Sequence, residues 1–508
     1  LHPTEGYALL PPVDGIGVGA AVNVVDSETH AWIGDAAVVN LDTSGANAGQ
    51  NVVVGAANDF YHLAVAGAMA FGTVGIAPGV DVSVISNATS AGIGDGATVN
   101  ARNDVLVQAS GKDDILLISA GLAAGTVGIG GAVNVLTIDN DTDAFIGANA
   151  NVAAGGDVGV LADAGSDVDV FAGALGAGTV GIGASVGVVS IEKDTNAWID
   201  SGAHVDAKGA GTGLSGVLTG DIAGGAFSQS TAHGVVVQAT SREDFFHFDI
   251  AAGVGYVGVA GGVGVSLLDS DTQAWIGASA FINRDDDNAG ANAAQSVYVN
   301  AANQVDSTTF SGAIAGGFVG VGGAVSVGSL KNDTAARILG GAQVTAADDV
   351  EVNGLSLLDV DAITVSGAGG FVGVAGAVSV WSIGSDLEKD YQDENGGSAD
   401  SLNKKVDSDQ DGNADGNDSG DNDAARQGDV AGDQVSSLLG GYSSGNANSA
   451  QQRAKQGSGS AGSTVGSRAP SQAQTLAKIN QVSLEPHGTE ATIRSEERRV
   501  GKECRSRW

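Results

Sequence analysis

One feature constrains this chain more than any other. A glycine followed by an alternating apolar run returns at Gly72, Gly125, Gly178, Gly255, Gly317 and Gly370. The intervals are 53, 53, 77, 62 and 53 residues, and a further copy near the start places Gly15 60 residues before Gly75. A fixed period interrupted by discrete insertions is the signature of a stacked array, in which no unit buries its apolar face alone. The insertions fall near 41–50, 207–233 and 284–295, and are expected as loops on one side of the array.

Within a unit the period is two. Val127, Ile129, Val133 and Val135 share one face, and Gly128, Gly130, Ala132 and Asn134 share the other. Such alternation with β-branched enrichment predicts strand. We expect the valine face to form the core and the glycine and alanine face to admit a second layer at close range. An acidic step follows, as in Asn140-Asp141-Thr142, and its Asx and Thr side chains predict a turn. The chain then re-enters a strand at Ala144-Phe145-Ile146-Gly147 or Ala274-Trp275-Ile276-Gly277. Three or four strands per 53 residues predict about two turns of a helix of strands. Trp32, Phe145, Trp198 and Trp275 would form one aromatic ladder along it.

The expected fold is therefore all-β. It is a repetitive parallel β-solenoid (β-helix) over 13–385, in seven units of which the last is incomplete, behind a short segment 1–12. The alternative is a stack of antiparallel hairpins folded at central glycine pairs such as Gly130-Gly131. A membrane helix over 312–330 is the weaker rival, because that run is rich in glycine and alternates. Beyond 385 the periodicity stops, and 386–493 is rich in Ser, Gly, Asn, Asp and Gln, as a disordered acidic linker would be. The last fifteen residues, 494–508, resemble a translated sequencing adapter and are set apart from fold reasoning. They hold the single cysteine, Cys504, so the repeats have no disulfide or thiolate metal site.

The composition excludes several functions. Lys+Arg number 22 against 59 Asp+Glu, a net charge of −37, which repels nucleic acid and anionic lipid headgroups. Gly253-Val254-Gly255-Tyr256-Val257-Gly258 satisfies a GxGxxG pattern but precedes no helix, so it is no dinucleotide site. The seven histidines show no zinc spacing. A Ser-His-Asp arrangement is spatial and cannot be read from sequence. The chain is thus not expected to be an enzyme; a polysaccharide-active β-helix is the remaining catalytic reading. The sharpest chemical motif lies in the linker. Asp407, Asp409, Asp411, Asn413, Asp415 and Asp418 surround Gly412 in the spacing of an EF-hand-like loop. Hard oxygen ligands round a turn point to calcium, with Asp in place of Glu at the twelfth position.

The apolar run, the D-x-D/E-T-x-A-[WF]-I-G step at Asp139–Gly147 and Asp269–Gly277, and the trailing V-x-V-x-A strand resemble the repeats of leukotoxin-type and filamentous-haemagglutinin-like bacterial adhesins. The resemblance spans about 13–385. It implies a secreted or surface-anchored protein whose repeats form a structural and adhesive rod, meeting host-cell, glycan or other surface receptors through its loops. It carries the alternative of a pore-forming or cytolytic toxin repeat. Self-association along the rod is expected; nucleic-acid binding and stable membrane insertion are not.

Overall fold

The computed structural model describes residues 14–384, 391–392, 398–399 and 489–493. The backbone is a parallel β-solenoid of seven stacked coils. Register repeats the sequence intervals: Val52 pairs with Val105, Val105 with Val158, Val158 with Val235, Val235 with Val297 and Val297 with Val350. Each repeat is therefore one coil. The expected two turns per unit are corrected to one, because the strands are far longer than anticipated. Coil 3 runs unbroken through Val105–Ile146 and coil 4 through Val158–Ile199.

Such a strand fits because it folds back once. In coil 3, Ser119 donates its hydroxyl to the carbonyl of Val133 at 2.9 Å, so the chain reverses near Gly125–Val127. An outgoing arm and a return arm then face each other across a narrow interior. A third, short sheet closes the base, with strands such as Asn151–Ala154 and His204–Ala207. Tight turns at Gly147–Ala150 and Gly155–Asp157 join it to the arms. The hairpin alternative is excluded for the array: neighbouring coils pair in parallel, and the reversal lies at the bend glycines, not at Gly130-Gly131. At Gly125 a Cβ would strike the carbonyl oxygen of Gly72 in the coil before, so only glycine fits there.

The faces are the reverse of those expected. Gly128, Gly130, Ala132 and Asn134 point inward, while Val127, Ile129, Val133 and Val135 point out. The reason is the spacing of the arms at the bend. A Cβ at Gly121 would run into the carbonyl oxygens of Gly131 and Ala77, so the interior there has room only for glycine and alanine. The acidic step is likewise no corner. Asn140 and Thr142 lie inside the strand and are buried, and Asp139, Asp141 and Asp143 point outward.

From base to bend the interior is stratified. Val105, Val107, Ala144, Ile146 and Val152 belong to a broad aliphatic core that runs through the coils. A polar stratum follows, with Asp113, Asn140 and Thr142 in coil 3. Ile115, Leu117, Leu136 and Ile138 form a second aliphatic stratum. Ser119 and Asn134 make a second polar one, and small residues such as Ala123 and Ala132 fill the bend. Each fully buried Val, Leu or Ile contributes roughly 1.5–3 kcal/mol, and the base stratum holds most of them.

The insertion near 207–233 is not a bare loop. Leu214–Ala223 pairs antiparallel with the start of Ala226–Ile276 as a β-hairpin. That near 284–295 contains one 3-10 turn, Asp285–Asn288. A strand from the stretch read as linker joins the array: Thr489–Ile493 pairs in parallel with Thr334–Ile338. Its sequence, Thr-Glu-Ala-Thr-Ile, supplies for coil 7 the Thr-x-Ala-x-Ile step absent after Ile383.

Candidate functional site

Four features of the stack bear chemistry. The first is the polar stratum nearer the base, which is continuous across coils. Asn87 of coil 2 donates to Asp113 Oδ1 at 2.6 Å, and Asn140 donates to the other oxygen. In coil 4 the position of Asn140 is taken by Lys193, wholly buried, with its ammonium 3.3 Å from Glu243 of coil 5 and donating to the Arg242 carbonyl at 3.0 Å. Ser241 and Ser270 donate to Glu243 as well. In coil 6, Asn303 donates to Ser270 at 2.9 Å and Asn332 donates to Asn303 at 2.7 Å. Burial pushes the Asp113 carboxyl above the usual range, opposed by the amide of Asn140 and the charge of Lys193.

The second feature has the outline of a catalytic triad. Ser266 Oγ lies 3.0 Å from His247 Nδ1, and His247 Nε2 lies 2.8 Å from Asp249 Oδ2. Gly187 and Gly264 make room for it, because a Cβ at either would meet Asp249 or His247. Position decides against hydrolysis. His247 and Asp249 are 0% exposed and Ser266 is 4% exposed, so no substrate carbonyl reaches the hydroxyl. Triad geometry acts only where a nucleophile meets a substrate; here it is a buried network, which burial marks by raising Asp249.

The third feature is electrostatic. In-register stacking converts single acids into rows. Asp114, Asp167, Asp244, Asp306 and Asp359 align on the outer face of the outgoing arms. Asp141, Asp194, Asp271 and Asp333 align on the return arms. Neighbouring strands lie about 4.8 Å apart, and like charges at that spacing oppose ionisation. Burial, together with Asp141 and Glu192, pushes Asp194 up to about 6. Burial with Asp194 and Asp333 pushes Asp271 up to about 7. Burial, offset by the Asn196 amide and reinforced by Asp141, holds Asp143 at about 6. Lys331 reaches Asp269 at 3.6 Å at one end of this face. Among the described residues no group of three or more His, Cys, Asp or Glu side chains converges on a common metal position.

The fourth is aromatic. Phe145, Trp198 and Trp275 stack with centroids 4.9 and 5.0 Å apart and planes 14° and 5° from parallel. Trp32 does not join them. It pairs in register with Gly92, which leaves space for the Phe145 ring, and contacts His30 instead. A second ladder, Tyr256, Phe318 and Phe371, stands at the bend with separations of 5.0 and 5.1 Å. Rings in such a ladder spend their faces on one another and offer solvent their edges, so the first ladder is no platform for sugar stacking.

The insertions add a shallow trough at the base, where Leu41, Asp42 and Thr43 approach Arg102, Lys208 and Ala210. All three insertions open between the short base sheet and the next outgoing arm. The calcium loop expected from the sequence at Asp407, Asp409, Asp411, Asn413, Asp415 and Asp418 lies outside the described residues. The buried strata were missed by sequence reasoning, though the shared parity of Asn134, Asn140 and Thr142 with Leu136 and Ile138 was a signal for them. No protein-family model, curated protein or solved structure matches this chain.

Proposed function

We propose that this chain is the structural and adhesive repeat region of a secreted or surface-anchored bacterial protein, acting through binding and not through catalysis. One observation carries the reading: insertions of different length leave a stack of constant register at the same corner of the coil. A scaffold that holds its coils in register while one corner varies is suited to presenting contact surfaces. The hairpin formed by Leu214–Ala223 and the start of the following strand is the largest of these and the first candidate for receptor contact. The net charge of −37 suits a saline exterior, and the acidic loop at 407–418 would take up calcium there.

The test replaces residues 208–234 with the short connection of coil 3, Gly155-Gly156-Asp157, and compares both chains on a glycan array and on immobilised extracellular glycoproteins. Binding that falls at least tenfold with the hairpin removed supports presentation from this corner. Equal binding by both chains, or none by the intact chain, overturns it.

A further inference from the structure

The outer surface around the bend carries a feature that a rod with loops does not require. In coil 3 the outward side chains between Asp114 and Asp139 include no charge. Leu116, Ile118 and Leu122 occupy one arm, and Val127, Ile129 and Val133 the other. The same charge-free interval recurs between outward residues Asp169 and Glu192, Asp244 and Asp269, and Asp306 and Lys331. On the return arms the boundary residues are in register, and on the outgoing arms they are in register except for Asp169, which stands two residues nearer the bend.

The dimensions are those of a membrane. From the acidic row at Asp114 to the bend at Gly125 there are eleven steps of strand, or roughly 35 Å at about 3.3 Å per residue. The hydrocarbon core of a bilayer is about 30 Å thick. Across these four coils at ~4.8 Å the band covers on the order of 700 Å² per face, beyond the ~300–600 Å² of the largest apolar patch on an ordinary soluble protein. At the bend, Tyr256, Phe318 and Phe371 are 59%, 45% and 81% exposed. Along both arms the backbone between coils is paired in parallel ladders, interrupted for one or two residues at the bend, so most of the amides of the band meet hydrocarbon already paired.

We propose that the distal half of the solenoid embeds, bend first, in the acyl region of a zwitterionic bilayer, with the acidic rows at headgroup level. Two features favour lipid over a folded partner or a second copy. The band is two-sided and wraps an edge, which fluid chains cover at once and a rigid surface covers on one face. Charged residues bound it on both faces, mostly acids with Lys331 in coil 6, and their depths differ by no more than two residues, as a water interface would demand. Those acids select against anionic headgroups. The outward valines are what sets this proposal against the expectation that the chain does not insert stably. This inference is independent of the adhesive reading and of any receptor.

The experiment uses the full chain carrying Cys504→Ser and Tyr256→Cys, labelled with an environment-sensitive dye, and vesicles of phosphatidylcholine. The chain is expected to float with the vesicles. Its dye should brighten several-fold and be quenched by bromines on the acyl chains, while a dye at Ser201→Cys in a base turn stays unchanged. Phe318→Asp with Phe371→Asp, both outward and so compatible with the fold, should reduce flotation at least tenfold with unaltered circular dichroism. A folded chain that stays in the bottom fraction overturns the proposal. So does a brightening that needs no vesicles and tracks dimerisation in sedimentation, because a second copy then covers the band. Embedding at the bend is equally refuted by a double variant that floats as well as its parent.

Discussion

The two ends of a coil solve the burial problem in opposite ways. At the base three sheets enclose Val105, Val107, Ile146 and Val152, and the outward positions carry Asp139, Asp141 and Asp143. At the bend two arms approach until only Gly121, Gly128, Gly130 and Ala132 fit between them, and the large apolar side chains are outside. The base is held by hydrophobic burial of side chains. The distal half is held by ladder hydrogen bonds and backbone proximity, with dispersion between closely packed sheets. Hydrophobicity along a strand therefore reports the core only where the interior is wide enough to admit it.

The comparison is most sharply tested by two glycines ten residues apart. Gly121→Val places a side chain against the carbonyls of Gly131 and Ala77. We expect a loss exceeding the roughly 1–3 kcal/mol of ordinary overpacking, with early unfolding of the distal half in urea titration followed by circular dichroism. Gly131→Val points outward into ordinary contact with Pro78 and should stay within about 0.5 kcal/mol of the parent. Equal effects would mean that the distal interior is not tight.

A second test concerns the buried pair between the two halves. Lys193→Met leaves Glu243 without its cation and should cost about 3–5 kcal/mol, whereas Lys193→Met with Glu243→Gln should recover most of that. Chemical denaturation of the three chains reads the difference. If the single substitution is neutral, the pair does not bind coil 4 to coil 5.

Smaller effects are expected on the outer face of the base. Trp198→Ala removes two stacking contacts, at 4.9 and 5.0 Å, and each such pair is worth about 0.5–1.5 kcal/mol beyond its area. Thermal melting should show a loss of that order, well below that of Gly121→Val.

The smallest effect is a pH dependence. Asp143, Asp194 and Asp271 titrate at about 6, 6 and 7 in the fold, above the unfolded value of 3.8. The folded state thus holds protons that the unfolded state releases. The corresponding stabilisation is full below pH 3.8 and is lost as pH rises through 6 to 7. The groups facing them include Glu192, Asp269 and Asp333, with Lys331 at the far end. Asp271→Asn should raise the denaturation midpoint at pH 8 and flatten its slope between pH 5 and 8. A slope of the opposite sign would show that cations in solution neutralise the rows.

Much of this was legible in the sequence. The intervals of 53, 77 and 62 are the ladder register itself, because parallel in-register stacking brings equivalent residues together. The sign of the faces was not legible from the run at 127–135, since alternation distinguishes two faces without saying which is wet. Following the parity further would have decided it: Val127 and Val133 lie on the same side of one unbroken strand as Asp139, Asp141 and Asp143. The turn predicted at Asn140-Asp141-Thr142 concealed that continuity. Turn chemistry was outweighed there by burial of Asn140 against Asp113 in the neighbouring arm. The triad-like contact of Ser266 and His247 was out of reach, because it depends on a fold-back that pairs residues 19 apart.

The polar stratum has a consequence for how such a gene can change. The aliphatic base of one coil would accept almost any other coil above it. Asp113 beneath an amide, Lys193 beside Glu243 and Asn303 beside Asn332 would not, because each is complementary to one neighbour. Tandem repeats invite unequal recombination, which deletes or duplicates whole units. A crossover that set Lys193 against another cation, or left Glu243 alone, would be penalised in the folded product. Matching buried chemistry thus writes an order into coils that otherwise look interchangeable, and it limits which lengths and permutations of the array survive.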